Sequence, residues 1–372
     1  MIQPIIDDNT IERLRTAINA VTTMVITCHM APDGDAIGAS LGLAHVLQRL
    51  GKDVRVVVPD MVPRTLWFLP GMRDVLVYTK HEARAREVIN AAKIIFCLDY
   101  NTFARIDRLA DPLLVSRATR VLIDHHLDPS DEFDITVSVP EASSTCELIF
   151  RVLLQMRLLN LIDRRAATCI YTGLMTDTGN FTYSTENPEV FEVAAALARR
   201  HIDTKAIYNM AMNTFSADCL RLQGYAIAEK MQVFADKHAA LITLTREELL
   251  RYNYHRGDTE GLVNKPLSIP GITWVMFLRE DPEFIKVSCR SSGDFSVSDI
   301  CEKYFNGGGH TNAAGGDFRG TMDEAIGIFY SILSGEYDTT DDISRSDSGE
   351  VSDESLLSTD LPSDPDFVIT VD

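Results

Sequence analysis

No stretch of the 372-residue sequence reaches the roughly 18 consecutive apolar residues that a membrane-spanning helix needs, so no transmembrane helix is expected. The first twenty residues include Asp7, Asp8 and Glu12 and lack a long apolar core, so no signal peptide is expected either. The seven cysteines form no C-x-x-C pair. Four of them, Cys28, Cys97, Cys146 and Cys169, lie in apolar runs and read as small core residues. An odd, unpatterned set fits a reducing cytoplasm rather than a disulfide scaffold, and the expected location is cytoplasmic. Internal repeats are lacking, and so is any basic stripe of the kind that duplex DNA binding requires. The net charge is −19. Residues 336–372 hold twelve acids against Arg345 alone, so −11 of that charge lies there and the preceding body keeps −8. A long nucleic acid would be repelled; a short anion held by metals and a few cationic side chains would not.

What is present is an alternation of short apolar strands and helical stretches. The chain is long enough for two domains, and 45% hydrophobic residues is ordinary for a globular protein. Residues 21–28, 54–58, 93–98 and 120–123 read as strands, and each leads through polar residues into a helix-like segment. Asp35 to Leu50 shows the helical period, with Ile37, Leu41, Ala44 and Val46 or Leu47 on one side. Ser143 or Ser144 suits the cap of a helix running to about Met156, and 164–175 reads as another helix ending before Asp177. This pattern predicts an α/β fold: a parallel sheet with helices on both faces. Residues 188–235 read as a helical connection. From about Lys237 the texture becomes that of a smaller α+β domain, with strands at 238–245, 273–279 and 284–289 and helices at 299–305 and 321–333. The expected domains are 1–190, a helical linker 191–235, 236–334, and an acidic tail 335–372 too poor in apolar residues to fold.

The chemistry gathers at the ends of the strands, where parallel sheets place their ligands. His29, Asp99 and Asp124-His125-His126 each follow an apolar strand directly. His29-Met30-Ala31-Pro32-Asp33-Gly34-Asp35 is readable as a plain strand-to-helix turn. It is equally readable as a tight loop offering His29, Asp33 and Asp35 to a metal, a donor set suited to manganese, iron or zinc rather than calcium. A lone Asp such as Asp99 is more often a cap or loop residue. His125 and His126 cannot point the same way from an extended segment, so one could bind metal while the other reaches a substrate. Asp177 adds a fourth acid at the end of an element. Four such clusters in one α/β domain are hard to explain by packing, because unpaired buried charges cost several kcal/mol; a convergent set implies ions between them.

With these motifs in order, the sequence resembles the DHH family of phosphoesterases, which includes RecJ-like nucleases, family II pyrophosphatases and bacterial oligoribonuclease/pAp phosphatases (pAp being 3'-phosphoadenosine 5'-phosphate). H-x-x-P-D-x-D-x-x-G spans His29 to Gly38, Asp99 is the isolated acid, Asp124 to His126 is D-H-H, and Asp177 is the later acid. Gly307-Gly308-Gly309-His310 with Asn312-Ala313-Ala314-Gly315, and the Ser288 to Ser291 strand, resemble the DHH-associated C-terminal domain. That domain argues against a pyrophosphatase, and the compact chain argues against RecJ. Ala39 and Thr311 depart from the family pattern, where Ser and Lys are usual; Thr311 removes a phosphate contact.

The resemblance implies two divalent cations, manganese being expected, one held by His29, Asp33 and Asp99 and the other by Asp35, Asp99, His125 and Asp177. Asp99 would bridge, Asp124 would orient a neighbouring ligand, and His126 would contact the phosphate or donate a proton to the leaving oxygen. In the second domain Arg290, His310, Gly308, Gly309, Ser291 and, more weakly, Asn264 would hold the substrate, the glycines as a loop exposing N–H groups to an anion. The implied activity is an exoribonuclease and 3'(2'),5'-bisphosphate nucleotidase acting on short RNA oligonucleotides and pAp, with no duplex DNA or membrane partner and a homodimer left open. A phosphodiesterase of linear or cyclic dinucleotides such as pApA, or a non-catalytic nucleotide sensor, are the alternatives.

Overall fold

The computed structural model describes residues 2–183, 185 and 187–335. The expected disordered tail lies outside the described residues, apart from its first position.

Six strands, β1 (Thr23–Cys28), β2 (Asp53–Val58), β3 (Leu76–Val77), β4 (Ile94–Leu98), β5 (Thr119–Asp124) and β6 (Ile135–Ser138), form one wholly parallel sheet. Its order is β3-β2-β1-β4-β5-β6, so the winding reverses between β1 and β4. A sheet covered on both faces needs apolar residues at every position, and β4 shows this: all five of its residues are buried. The helices of this half are α1 (Asp8–Ala20), α2 (Gly34–Arg49), α3 (Glu82–Ala91), α4 (Ala110–Val115), α5 (Thr145–Gln155) and α6 (Arg164–Asp177). Ile26, Phe96 and Ile123 point into one core with Ile37, Leu47, Ile149 and Ile170 of α2, α5 and α6. Val25, Ile95 and Leu122 point to the other face, against Ala85 and Ile89 of α3 and Leu113 of α4. The expected two-faced parallel sheet is present; β3 and β6, too short or too mixed to carry a signal, were not expected.

One packing contact positions the chemistry. Helices α2 and α6 lie against each other along Gly34, Gly38 and Gly42, spaced four apart and therefore on one face of α2. A Cβ at Gly38 would stand 2.6 Å from the Cys169 carbonyl oxygen, and one at Gly34 would overlap the Thr176 side chain. The absent side chains let the two backbones touch, which sets the start of α2, with Asp35, beside the end of α6, with Asp177.

Helices α7 (Glu189–Ala198), α8 (Thr204–Met212) and α9 (Ala217–Tyr225) follow, as the composition of 188–235 suggested. A second sheet then contains β7 (Gln232–Phe234), β8 (Ala239–Leu244), β9 (Trp274–Glu280), β10 (Ile285–Ser291), β11 (Gly307–His310) and β12 (Ala313–Phe318), in the order β11-β12-β10-β9-β8-β7. Only its β8–β9 pair is parallel. Its helices are α10 (Arg246–Arg251), α11 (Val297–Tyr304) and α12 (Met322–Leu333). The run Gly307 to Gly309 is an edge strand, not the expected loop. It pairs with Gly316, Gly315 and Ala314, and a Cβ at Gly307 would lie 2.0 Å from the Gly315 oxygen. Glycine-poor packing surfaces usually make strands; here glycines on both partners permit an unusually close ladder.

Candidate metal centre

The site sits at the carboxyl ends of β1, β4 and β5, at the point where the strand order reverses. His29 follows β1 directly. Asp33 caps α2, accepting from the backbone N–H of Asp35 and Ala36, both at 3.0 Å. Asp35 occupies the first turn of α2. Asp99 follows β4 at φ 64°, a left-handed conformation that Asp tolerates better than most residues. Asp124 ends β5, His125 and His126 come next, and Asp177 ends α6.

Among the described residues four groups of donor atoms lie close enough to hold an ion: His29 with Asp33 and Asp99, Asp35 with His125 and Asp177, Asp99 with Asp124 and His126, and His125 with His126 and His310; the first two are the expected ligand sets. His29 Nε2 lies 3.3 Å from Asp99 Oδ2 and 3.7 Å from Asp33 Oδ1. His125 Nε2 lies 3.6 Å from both Asp99 Oδ1 and Asp177 Oδ2. The two oxygens of Asp99 thus face the two groups separately. His29 Nδ1 is 2.7 Å from the Met30 carbonyl and His125 Nδ1 is 3.2 Å from the Ala142 carbonyl. A carbonyl only accepts, so each Nδ1 carries the hydrogen and each neutral ring turns a lone pair on Nε2 toward carboxylate oxygens. Acceptors facing acceptors require a cation or an added proton between them. Donors each about 2.1 Å from one ion sit about 3–3.5 Å apart, close to the separations found. The residues therefore fit a pair of divalent cations.

Electrostatics agree. Burial, and then the charges of Asp99 and Asp177, push the Asp35 carboxyl well up. Burial, followed by Asp33 and Asp99, does the same to Asp177. Burial would lower His29, but its bonds to Asp33 and Asp99 outweigh that and hold it well above its usual value. Burial would raise Asp99, yet His29 and the other two histidines hold it low. Four carboxylates converge here, Asp35 and Asp99 buried and Asp33 and Asp177 reaching solvent, and such a set resists joint ionisation unless positive charge is supplied.

Supporting contacts fix these ligands. The first two backbone N–H groups of α5, from Thr145 and Cys146, donate to the two Asp35 oxygens at 2.6 and 2.9 Å. Ser144 caps that helix, accepting from Glu147 N. The Thr145 hydroxyl donates to Asp99 Oδ1 at 3.0 Å. Thr145 was not singled out from the sequence; the Ser-Ser-Thr run at a helix start was the available signal, read only as a cap. His126 Nδ1 meets Asp124 Oδ1 at 2.7 Å, and the other Asp124 oxygen is buried without a partner among the described residues.

The second half of the chain closes over this cluster through His310, whose ring stacks on His126 with centroids 5.0 Å apart and planes 20° apart. Burial, His126, His125 and Arg105 push His310 down to about 4, so it is neutral near pH 7. Arg290 is on β10, and its hydrogen bond among the described residues goes to the Cys289 carbonyl at 2.9 Å, leaving most of its donors open. Burial and the charge of Asp33 push Glu260 up, while Arg290 opposes them. The other expected substrate contacts stand differently. The Ser291 hydroxyl donates to the Phe295 carbonyl at 2.6 Å and accepts from Asn312 Nδ2 at 2.8 Å, so its proton is used inside the domain and one lone pair remains. Asn264 lies on a 3₁₀ turn, Leu262–Ser268, and among the described residues no side-chain hydrogen bond ties it to the cluster. Gly308 and Gly309 are on the edge strand β11, where one row of backbone groups is unpaired by sheet partners.

Residues 23–174 match the DHH family N-terminal domain and residues 238–334 match the DHHA1 domain. The chain is 28% identical over 300 residues (80% of it, 90% of the relative) to a probable bifunctional oligoribonuclease and PAP phosphatase NrnA from Streptococcus mutans. It is 27% identical over 323 residues (86% and 96%) to the bifunctional oligoribonuclease and PAP phosphatase NrnA of Bacillus subtilis. A solved structure, an exopolyphosphatase-related protein from Bacteroides fragilis, is 43% identical with a TM-score of 0.87, over 90% of this chain and 98% of that one. A cyclic-di-AMP phosphodiesterase PdeA from Listeria monocytogenes is 27% identical over 82% of this chain, and only 46% of the relative is covered.

Proposed function

This chain belongs to the DHH family and carries the DHHA1 domain, and from that premise we propose that it is a metal-dependent phosphoesterase hydrolysing short oligoribonucleotides and pAp. The observation that carries the reading is the position of Asp99, whose two oxygens face two separate histidine–carboxylate groups. His29, Asp33 and Asp99 hold one divalent cation; Asp35, Asp99, His125 and Asp177 hold the other. Manganese is the proposed ion, since mixed imidazole and carboxylate donors suit it. Such a pair, when bound, supplies positive charge to the scissile phosphate and lowers the pKa of an attacking water.

The chain's own groups do the rest. Thr145 and the N-terminus of α5 keep Asp99 and Asp35 from rotating away. Asp124 holds the His126 ring, which meets the phosphate or delivers a proton to the leaving oxygen. His310, Arg290 and the edge-strand backbone at Gly308 and Gly309, where the Gly309 carbonyl already accepts from the Ser298 hydroxyl, anchor a second phosphate or the nucleoside beyond it. The ring stacking of His310 on His126 supports a narrow cleft, suited to small or single-stranded substrates and closed to a duplex. The catalytic half extends to about residue 190 and a helical connection follows; it was expected to run to 235, but Gln232–Phe234 already pairs into the second sheet, so the half that holds the substrate starts near residue 232 and runs to 334. No helix among the described residues is long and apolar enough to cross a membrane; a cytoplasmic enzyme is proposed.

The Listeria relative favours a second reading, hydrolysis of linear or cyclic dinucleotides, although the NrnA relatives match the chain end to end more fully. One panel separates them: purified protein with manganese and pAp, pApA, cyclic dinucleotide, RNA from dinucleotide to 24-mer, DNA and pyrophosphate. Highest kcat/KM on pAp and short RNA is expected; predominant turnover of pyrophosphate or of cyclic dinucleotide refutes the proposal.

A further inference from the structure

The loop carrying His29 and Asp33 has a support that lies outside the ligand set. Ala31, between them, has φ 53°, a left-handed conformation that a residue with a Cβ avoids unless its surroundings enforce it. Two hydrogen bonds grip this turn. Met30 N donates to the Arg105 carbonyl at 2.8 Å, and Ala31 N donates to Asp60 Oδ1 at 2.7 Å. Asp60 follows β2 by two residues, on a neighbouring strand end, and its other oxygen is 3.5 Å from Arg256 Nη1 in the second half of the chain. The Arg256 pair is too long and too exposed to contribute much. The bond to Ala31 N is short and charge-assisted, and it is the stronger constraint.

We infer that Asp60 is a positioning residue for the metal loop: its carboxylate holds Ala31 in the left-handed turn that aims His29 and Asp33 at the same cation. Without that bond the peptide at Ala31 relaxes toward ordinary φ, and His29 shifts relative to the start of α2. The two donors then separate, while Asp35, held by the N–H groups of Thr145 and Cys146, and His125 and Asp177, on other elements, stay in place. The inference rests on the dinuclear reading above and extends it to a residue that touches neither metal nor substrate.

Manganese binding by calorimetry, followed on the full chain together with kcat and KM, tests it. Asp60→Ala is expected to weaken binding at one of two sites by about 10–100-fold, the range usual for groups that orient metal ligands, with kcat falling and KM little changed. Asp60→Asn keeps an oxygen for Ala31 N and should restore affinity to within about threefold. Ala31→Gly in the Asp60→Ala background should recover most of the loss, because glycine adopts positive φ without help. Wild-type affinity in Asp60→Ala, or no rescue by either Asn or Gly, overturns the inference. If Asp60→Ala does not fold, as judged by circular dichroism, Asp60→Asn decides: wild-type affinity sustains the inference and tenfold weaker binding overturns it. Failure of the wild-type chain to bind manganese would instead overturn the dinuclear reading.

Discussion

Replacing Asp99 by Asn isolates the one charge on which both halves of the centre depend. The substitution conserves shape, and Asn tolerates the left-handed φ of 64° at this position. Its amide oxygen can still accept from Thr145, 3.0 Å away in the native protein. The variant should therefore stay folded while losing the anionic ligand shared by the His29 and His125 groups. The magnitude follows from linkage. Manganese at one hundred times its dissociation constant stabilises the native state by about 2.7 kcal/mol per site, hence about 5 kcal/mol for two. At roughly 2 °C per kcal/mol for a chain of this size, the wild type should gain on the order of 10 °C in Tm on adding manganese. Asp99→Asn should gain only a small fraction of that. Turnover should fall by about a thousandfold or more, since withdrawing some 4 kcal/mol of charge stabilisation at the reacting phosphate is worth that much. Thermal melts with and without manganese, paired with phosphate release from pAp, measure both. A variant that keeps the full manganese shift, or more than a tenth of wild-type kcat/KM, would refute the bridging role.

Three further outcomes follow from the packing. Gly38→Ala forces a methyl group to within 2.6 Å of the Cys169 carbonyl oxygen; a loss of about 1–3 kcal/mol is expected, with weaker manganese binding as α2 and α6 separate, and an unchanged denaturation midpoint would contradict the close helix contact. Arg151 is buried between Glu147 and Glu189, at 2.7 and 2.8 Å, and also donates to the Gln3 carbonyl; Arg151→Ala should cost about 3 kcal/mol, chiefly by leaving buried Glu147, then bonded to Ser143 alone, without a counter-charge, read by urea unfolding. In the second domain Glu248 accepts from Tyr225, Lys230 and Thr245 at 2.6, 2.7 and 2.8 Å. Burial would raise its carboxyl, but these donors hold it below its usual 4.5. A depressed folded value means its stabilisation is present above about pH 4.5 and is lost as pH falls through the folded value. Glu248→Gln should thus be less stable at pH 7 and show a flatter decline below pH 4.5, and parallel stability profiles would count against it.

How far the sequence reached depended on range. Each ligand that follows a strand or caps a helix was legible, because a buried strand, its end and the next polar residue are local features: Cys28 to His29, Leu98 to Asp99, Asp124 to His125. The convergence of Asp35 with Asp177 was legible only through the family resemblance, since from the residues alone it depends on which helix the glycine face of α2 meets. Thr145, through two hydrogen bonds, and Asp60, through one to Ala31, act across long sequence distances, and no periodicity marks them. The run Gly307 to Gly309 looked like a loop because glycine has poor strand propensity; only its partner, the glycine pair at 315–316, makes it a strand. Ser291 lies on the expected strand, but its local bonds to Phe295 and Asn312 had no signature in the sequence.

The central claim is that six side chains, His29, Asp33, Asp35, Asp99, His125 and Asp177, hold two cations in common. The most direct measurement is an anomalous-scattering map from crystals of the full chain grown with manganese. Two peaks are predicted, one against His29 and Asp33, the other against Asp35, His125 and Asp177, with Asp99 touching both. A map with no peak in this cluster, or with a single ion that leaves Asp99 uncoordinated, would contradict the account.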